Sequence, residues 1–185
     1  MDAKKFATVE DLLSLPEDQR AELINGELIH HGQASFRHGH TQRSLGVVLD
    51  PFSRKSGDGP GGWWIVTEAG VRYSAHTACR HDLAGWKRER LPVAPDEEYV
   101  SITPDWVCEI LSPSNRNNDL IRKKAILHQA QVPHYWIIDP TDKNISVHRW
   151  AEAGYLNVAN REAGERARLE PFEDVEIDVS YLIGE

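Results

Sequence analysis

Basic charge is what this sequence lacks. Twenty-one Lys and Arg against 29 Asp and Glu leave a formal charge of −8 with a pI near 5.6, so no overall basic field advertises nucleic-acid binding. An acidic total does not exclude that class, because carboxylates that hold a metal add negative charge at the very place where a phosphate binds. Cysteine is scarce as well: only Cys79 and Cys108 occur, neither a disulfide framework nor a zinc ligand set. No apolar run approaches the ~18 residues that span a membrane, which argues against a membrane partner. The N-terminal stretch Met1-Asp-Ala-Lys-Lys-Phe-Ala-Thr8 lacks the apolar centre of a signal peptide, so the expected location is cytoplasmic. Internal repeats, low-complexity tracts and linker-like composition are also missing. The 185 residues therefore read as one domain, long enough to bury roughly 70% of the unfolded surface.

What is present alternates between strand and helix patterns and predicts a mixed α/β (α+β) unit. Thr8-Val-Glu-Asp11 fits a capping box ahead of a short helix that ends near Pro16. Ala21 to His30 is a hairpin signal, with Asn25-Gly26 suited to a type I′ turn. That register puts Glu22 opposite Ile29 and Glu27 opposite Ile24, so the two glutamates share a face, which reads most simply as exposed. Thr41, Leu45, Val48, Leu49 and Phe52 mark an amphipathic helix over 38–54, with Pro51 near its end. Residues 63–73 predict a strand with a bulge at Gly70, followed by a short strand carrying Asp82. The stretch 105–111 predicts a buried strand, 118–130 a helix capped by Asn117 or Asn118, and 132–140 a helix stop followed by another buried strand. Residues 145–150 alternate and should pair with that strand, while 175–182 form a last strand or a short helix.

Chemistry concentrates in the strand from Asp105 to Leu111. Trp106, Cys108 and Ile110 point to one side, and Asp105, Val107, Glu109 and Leu111 to the other. An ionised Glu109 among such neighbours is costly without a partner. A metal ion or a lysine would compensate it; the plainer alternative is a strand-end glutamate that reaches water. Asp82 is either a turn carboxylate or a second ligand. Magnesium commonly takes one or two carboxylates plus waters and phosphate oxygens, so Asp82 and Glu109 from neighbouring strand ends suit Mg²⁺ or Mn²⁺. Lys123 lies four residues after Asp119 and flanks the apolar arc of its helix, but helical phase alone does not choose between Lys123 and Lys124. His30, His31, His38 and His40 cluster in sequence without the partner set of a zinc site. His38, at a helix start, is a candidate for contacting substrate or a nearby carboxylate.

Six motifs then occur in order: 22–27 (ELINGE), Ser35 with His38, 82–92 (DLAGWKRERLP), 104–114 (PDWVCEILSPS), Asp119 with Lys123, and 132–140 (VPHYWIIDP). Together they resemble the Uma-two family of restriction-endonuclease-like proteins, within the PD-(D/E)XK nuclease superfamily, over about Glu22–Trp150. The resemblance implies a restriction-endonuclease-like core: a central four-to-five-stranded mixed sheet flanked by helices, here preceded by an N-terminal helix and the hairpin, with the site at one sheet end. It implies Asp82 and Glu109 as the two acidic metal positions of a Mg²⁺-dependent (or Mn²⁺-dependent) DNA endonuclease. Leu111 stands where the superfamily places its lysine; the family's spacing moves that role to Lys123 on the following helix. Glu27 and His38 complete the candidate catalytic set. His81 takes the place of the motif's proline. The expected partners are DNA and a second copy of the chain in a homodimer, with no organic cofactor. A catalytically inactive nuclease-like scaffold that binds DNA or a protein is the alternative.

Overall fold

The computed structural model describes residues 6–16, 19–54, 59–112 and 118–185, without the side chains of Asn118 and Asp119. The expected caps at Asn117 and Asn118, the Pro113-Ser114 end of the fourth motif, the side chain of Asp119 and part of the 57–62 loop lie outside the described residues.

Helix α1 (Val9–Leu13) opens with the expected capping box: the Asp11 amide donates to Thr8 Oγ1, and the Asp11 carboxylate accepts from the Thr8 amide at 2.8 Å. Strands β1 (Ala21–Ile24) and β2 (Glu27–His30) pair in the predicted register, Glu22 opposite Ile29 and Ile24 opposite Glu27. Both turn residues have positive φ, 52° at Asn25 and 79° at Gly26, as a type I′ turn requires. Helix α2 (Phe36–Ser53) starts at Ser35, whose hydroxyl accepts from the His38 amide, and carries Pro51 in its last turn.

Strands β3 (Trp63–Ser74) and β4 (Thr77–Lys87) form a long antiparallel ribbon. Two sequence expectations change here. The Asp82 strand is eleven residues rather than short, because β3 pairs along almost all of it. Gly70 is not a bulge but sits in register opposite Arg80. Its missing side chain admits the 98–100 segment: a Cβ there would lie 2.2 Å from the Glu98 carbonyl oxygen, and Val100 donates to the Gly70 carbonyl.

Strand β5 (Trp106–Ile110) is central, antiparallel to β4 and parallel to β6 (His134–Asp139). The parallel pair needs a crossover, supplied by a π-helical stretch (Asn118–Lys123) that continues into α3 (Lys124–Gln129). Strands β7 (Asn144–Arg149) and β8 (Leu156–Glu162) extend the sheet to the order β2-β1-β4-β5-β6-β7-β8, with β3 on the other edge of β4. The mixed sheet is thus eight-stranded, the four-to-five-stranded core enlarged by the hairpin and by β8, which alternation in the sequence did not mark. The chain closes with a small β9 (Arg166–Ala167) and β10 (Ile177–Asp178) pair and α4 (Val179–Ile183), so the tail holds both of the alternatives its sequence offered.

Alternation along β5 sorts the core into two sides. Trp106, Cys108 and Ile110 join Leu45, Leu49 and Phe52 of α2 and the C-terminal Phe172, Ile177 and Leu182. The Phe172 ring lies 4.8–5.6 Å from the rings of Phe52, Trp63, Trp106 and Trp136. Val107 and Leu111 pack instead with Leu127, Val132, Tyr135 and Ile137. Among the described residues no helix is long and apolar enough to cross a membrane.

Candidate active site

The site lies where the sheet forks. Strand β4 pairs with β1 at Ala78–Leu23 and with β5 at residues 83–85, and between these contacts β1 and β5 part. Backbone polar groups on that stretch of β4 that face away from β3 must find partners other than a strand. At Arg80 side chains supply them: the Arg80 amide donates to Glu22 Oε1 at 2.7 Å, and its carbonyl accepts from Lys123 Nζ at 3.3 Å. Asp82 and Glu109 come one step beyond the last β4–β5 pair, Leu83–Cys108.

A chain of charged and polar groups fills the fork. Lys123 Nζ lies 2.9 Å from Glu22 Oε1 and 3.2 Å from Glu109 Oε1. Glu109 Oε1 is also 2.5 Å from His81 Nδ1, while Glu22 Oε2 meets His31 Nε2 at 2.8 Å. Asp82 Oδ2 accepts from the Ile110 amide at 2.6 Å, and Oδ1 lies 3.0 Å from His38 Nε2. One turn further along α2, Gln42 donates to the Asp82 carbonyl and to Glu68, fixing the helix start against β4. Glu22, His31, His38, Asp82, Glu109 and Lys123 all line one cleft of about 540 Å³.

Burial sets the electrostatics. Glu22, Glu109 and Lys123 are each at most 3% exposed, and charges so removed from water persist only when paired. Burial alone would raise the Glu22 carboxyl, but the Lys123 ammonium and His31 beside it bring it down to about 2. Burial, helped by the Lys123 charge, takes His81 down to about 3, so its imidazole is neutral near pH 7. A neutral imidazole has one donor and one acceptor nitrogen. Nδ1 faces a carboxylate and therefore donates; Nε2, 2.7 Å from the Tyr73 hydroxyl, accepts. Tyr73 itself is pushed well above its usual pKa, chiefly by burial, and remains a donor.

Of the residues singled out in the sequence, the structure brings Asp82, Glu109, Lys123 and His38 to the cleft. Glu109 does not reach water at a strand end: it is buried against His81 and Lys123. Lys123 points into the fork, whereas Lys124 lies near His148 on the other side of the helix, where burial lowers its pKa. Leu111 is packed in the apolar cluster with Val107 and Leu127, a place hostile to an ammonium. Glu27 is not brought in; it is exposed and paired with Arg122 at 3.1 Å. Of the clustered histidines, His31 and His38 both line the cleft, against Glu22 and Asp82, while His40 lies within 3.3 Å of the Ser44 hydroxyl.

Three participants were not foreseen. Glu22 read as part of an exposed hairpin face, yet β1 is buried along its whole length because it lies against the fork. The local signal was present: Ala21, Leu23 and Ile24 leave no polar side to this strand. Tyr73 and His81 carry no local signal, since their role depends on β3 lying beside β4.

The oxygens of Asp82 and Glu109 could supply two ligands to a hard cation. Among the described residues no group of three or more His, Cys, Asp or Glu is arranged around a common point, so a closed all-protein cage is not built. Two carboxylates with the remaining positions left to water is a donor set that suits Mg²⁺ or Mn²⁺.

A crystal structure of a "putative nuclease belonging to DUF820 from Anabaena variabilis ATCC 29413" superposes with a TM-score of 0.74 over 96% of this chain and 97% of that one, at 19% identity. At that identity the likeness establishes a shared fold, a large mixed sheet flanked by helices. No curated protein matches the sequence. A family model described as "Uma2: Putative restriction endonuclease" matches residues 9–180, nearly the whole chain, and the protein belongs to that family of nuclease-like proteins.

Proposed function

We propose that the protein is a metal-dependent DNA endonuclease that hydrolyses phosphodiester bonds at the fork of the sheet. The observation that carries this reading is the meeting of Glu109 and Lys123, 3.2 Å apart, in the cleft that Asp82 also lines. Asp82 and Glu109 would hold Mg²⁺ or Mn²⁺, which when bound lowers the pKa of a coordinated water and offsets charge on the scissile phosphate. His38 and the Ile110 amide fix the two oxygens of Asp82, so this carboxylate is oriented before substrate arrives. Lys123, held between Glu22 and Glu109, presents its ammonium where negative charge develops on the phosphorane or where the attacking water must be oriented. Glu22, 2.9 Å from Nζ, helps to hold that ammonium in place. The substrate is DNA, cleaved by a cytoplasmic enzyme acting as a homodimer so that each strand meets one site.

Supercoiled plasmid incubated with the purified protein and Mg²⁺ or Mn²⁺ tests this. Nicking or linearisation should appear, stop on chelation and vanish in Asp82→Asn, whose melting curve should match the wild type. Lys123→Gln should slow cleavage about 10²–10³-fold, the usual cost of losing one charge-stabilising donor. Cleavage that survives both chelation and Asp82→Asn would reject the assignment.

One observation favours the non-catalytic scaffold: Lys123 already contacts two carboxylates, which together offset its charge. Calorimetry with Mn²⁺ separates the readings, since a scaffold would show no binding heat at concentrations well above millimolar.

A further inference from the structure

His81, buried beside the half-buried Tyr73, is a polar group at the site that the proposed mechanism leaves unused. His81 is fully buried on β4, and its ring bridges two strands: Nε2 lies 2.7 Å from the Tyr73 hydroxyl on β3, and Nδ1 lies 2.5 Å from Glu109 Oε1 on β5. The two rings also meet edge-on, with centroids 5.9 Å apart and planes at 70°. A fully buried histidine that serves only to fill space would be replaceable by an apolar side chain at little cost. This one spends both nitrogens on named partners, and one of them is the carboxylate assigned to the metal.

We propose that Tyr73 and His81 form a hydrogen-bonded chain, Tyr73 O–H to Nε2 and Nδ1–H to Glu109 Oε1, that positions the Glu109 carboxylate for a divalent cation. The inference rests on the reading of Glu109 as a metal ligand. The chain fixes one oxygen of the carboxylate and with it the plane of the group. A carboxylate at the end of a flexible side chain otherwise loses rotamer freedom on binding the ion. Lys123 approaches the same oxygen, but as a point charge on a long stem it does not set that plane. Tyr73 acts through His81: its hydroxyl occupies Nε2 and holds the imidazole ring in the orientation from which Nδ1–H meets Glu109. Both residues are therefore positioning residues. Ligating carboxylates depend on such outer partners, whose loss weakens metal binding by about 10–100-fold.

The test joins two measurements on the full chain. Histidine ¹⁵N labelling with multiple-bond ¹H–¹⁵N correlation reports the tautomer without any metal. His81 should carry its proton on Nδ1, where the Glu109 carboxylate accepts it, and in Tyr73→Phe the Nε2 signal should shift because its hydroxyl donor is gone. Calorimetry with Mn²⁺ should show about tenfold weaker binding or more in Tyr73→Phe and in His81→Leu, with part of the loss restored in His81→Asn, which keeps a donor near the Nδ1 position. Tyr73→Phe removes one hydroxyl and keeps the ring, so it remains informative if His81→Leu fails to fold. A wild-type proton on Nε2 would overturn the proposal. So would Tyr73→Phe binding Mn²⁺ as the wild type does, while Glu109→Gln does not bind. Absence of Mn²⁺ binding by the wild type would instead overturn the metal-site reading, and with it the purpose assigned to the chain.

Discussion

Two regions on either side of β5 are buried to the same degree and held by opposite means. On one side Trp106 packs with Trp136 and Phe172, a cluster whose stability comes from apolar area and dispersion. At the fork, Glu109 sits within three residues of Trp106 in a network whose members persist only as pairs: Glu22 with Lys123 and His31, Glu109 with Lys123 and His81. A shape change in the aromatic cluster is a matter of volume, whereas removing one member of the fork strands a buried charge. A cluster built only for stability would favour the first design; a network this costly at the mouth of a cleft favours function as its reason.

Lys123→Met should produce the largest effect. It leaves Glu22 and Glu109 buried without their shared cation and should cost about 3–5 kcal/mol in urea denaturation. Adding Glu22→Gln to it should recover part of that stability without recovering cleavage. A loss under about 1 kcal/mol for the single variant would mean that the fork is better hydrated than its burial implies. Phe172→Leu should cost less, about 1–2 kcal/mol, and leave Mn²⁺ binding unchanged. A weakened metal affinity in that variant would erase the contrast between the two regions.

Acid should separate them next. His81 has its pKa lowered to about 3 and His148 to about 4, from an ordinary 6.5. Lowered values mean that the unfolded chain takes up protons first, so their contribution is complete above pH 6.5 and is lost as pH falls towards 3. Glu22, lowered from 4.5 to about 2, adds a loss as pH falls from 4.5 towards 2. Melting temperature measured from pH 7 to pH 3 should therefore begin to fall below pH 6.5 and steepen below 4.5, and a flat profile down to pH 4.5 would contradict buried neutral histidines. The smallest effect belongs outside both regions: Arg122→Ala breaks the exposed pair with Glu27 and should change stability by less than about 1 kcal/mol. A large loss of cleavage in that variant would bring Glu27 back into the site.

Much of this was legible residue by residue. The faces of β5 follow from alternation, so the burial of Trp106 and the isolation of Glu109 among apolar neighbours could be read directly. The hairpin turn at Asn25-Gly26, the capping box at Thr8 and the end of α2 near Pro51 are local signals and were equally clear. The ordered motifs then matched the family that the comparison identifies over residues 9–180. The choice of Lys123 over Lys124 was different in kind. Phase could not make it, because Lys123 flanks one apolar arc while Lys124 lies nearer the centre of another with Leu120 and Ile121, and the segment before α3 winds as a π-helix, which shifts the spacing that an α-helical phase assumes. Glu22 differs for a related reason: the hairpin signal describes one edge of β1, and its other edge meets β4.

The sequence by itself determined the two faces of β5 and that Glu109 stands among apolar neighbours, because alternation, turn chemistry and capping act over a few residues. Only the tertiary structure decided who answers whom. The parting of β1 and β5 along β4 opens the backbone of Arg80 to Glu22 and Lys123, and brings Tyr73 and His81 behind Glu109. Those are contacts between strands far apart in the chain. A buried charge is stabilised by whatever stands beside it in space, and no local pattern records that.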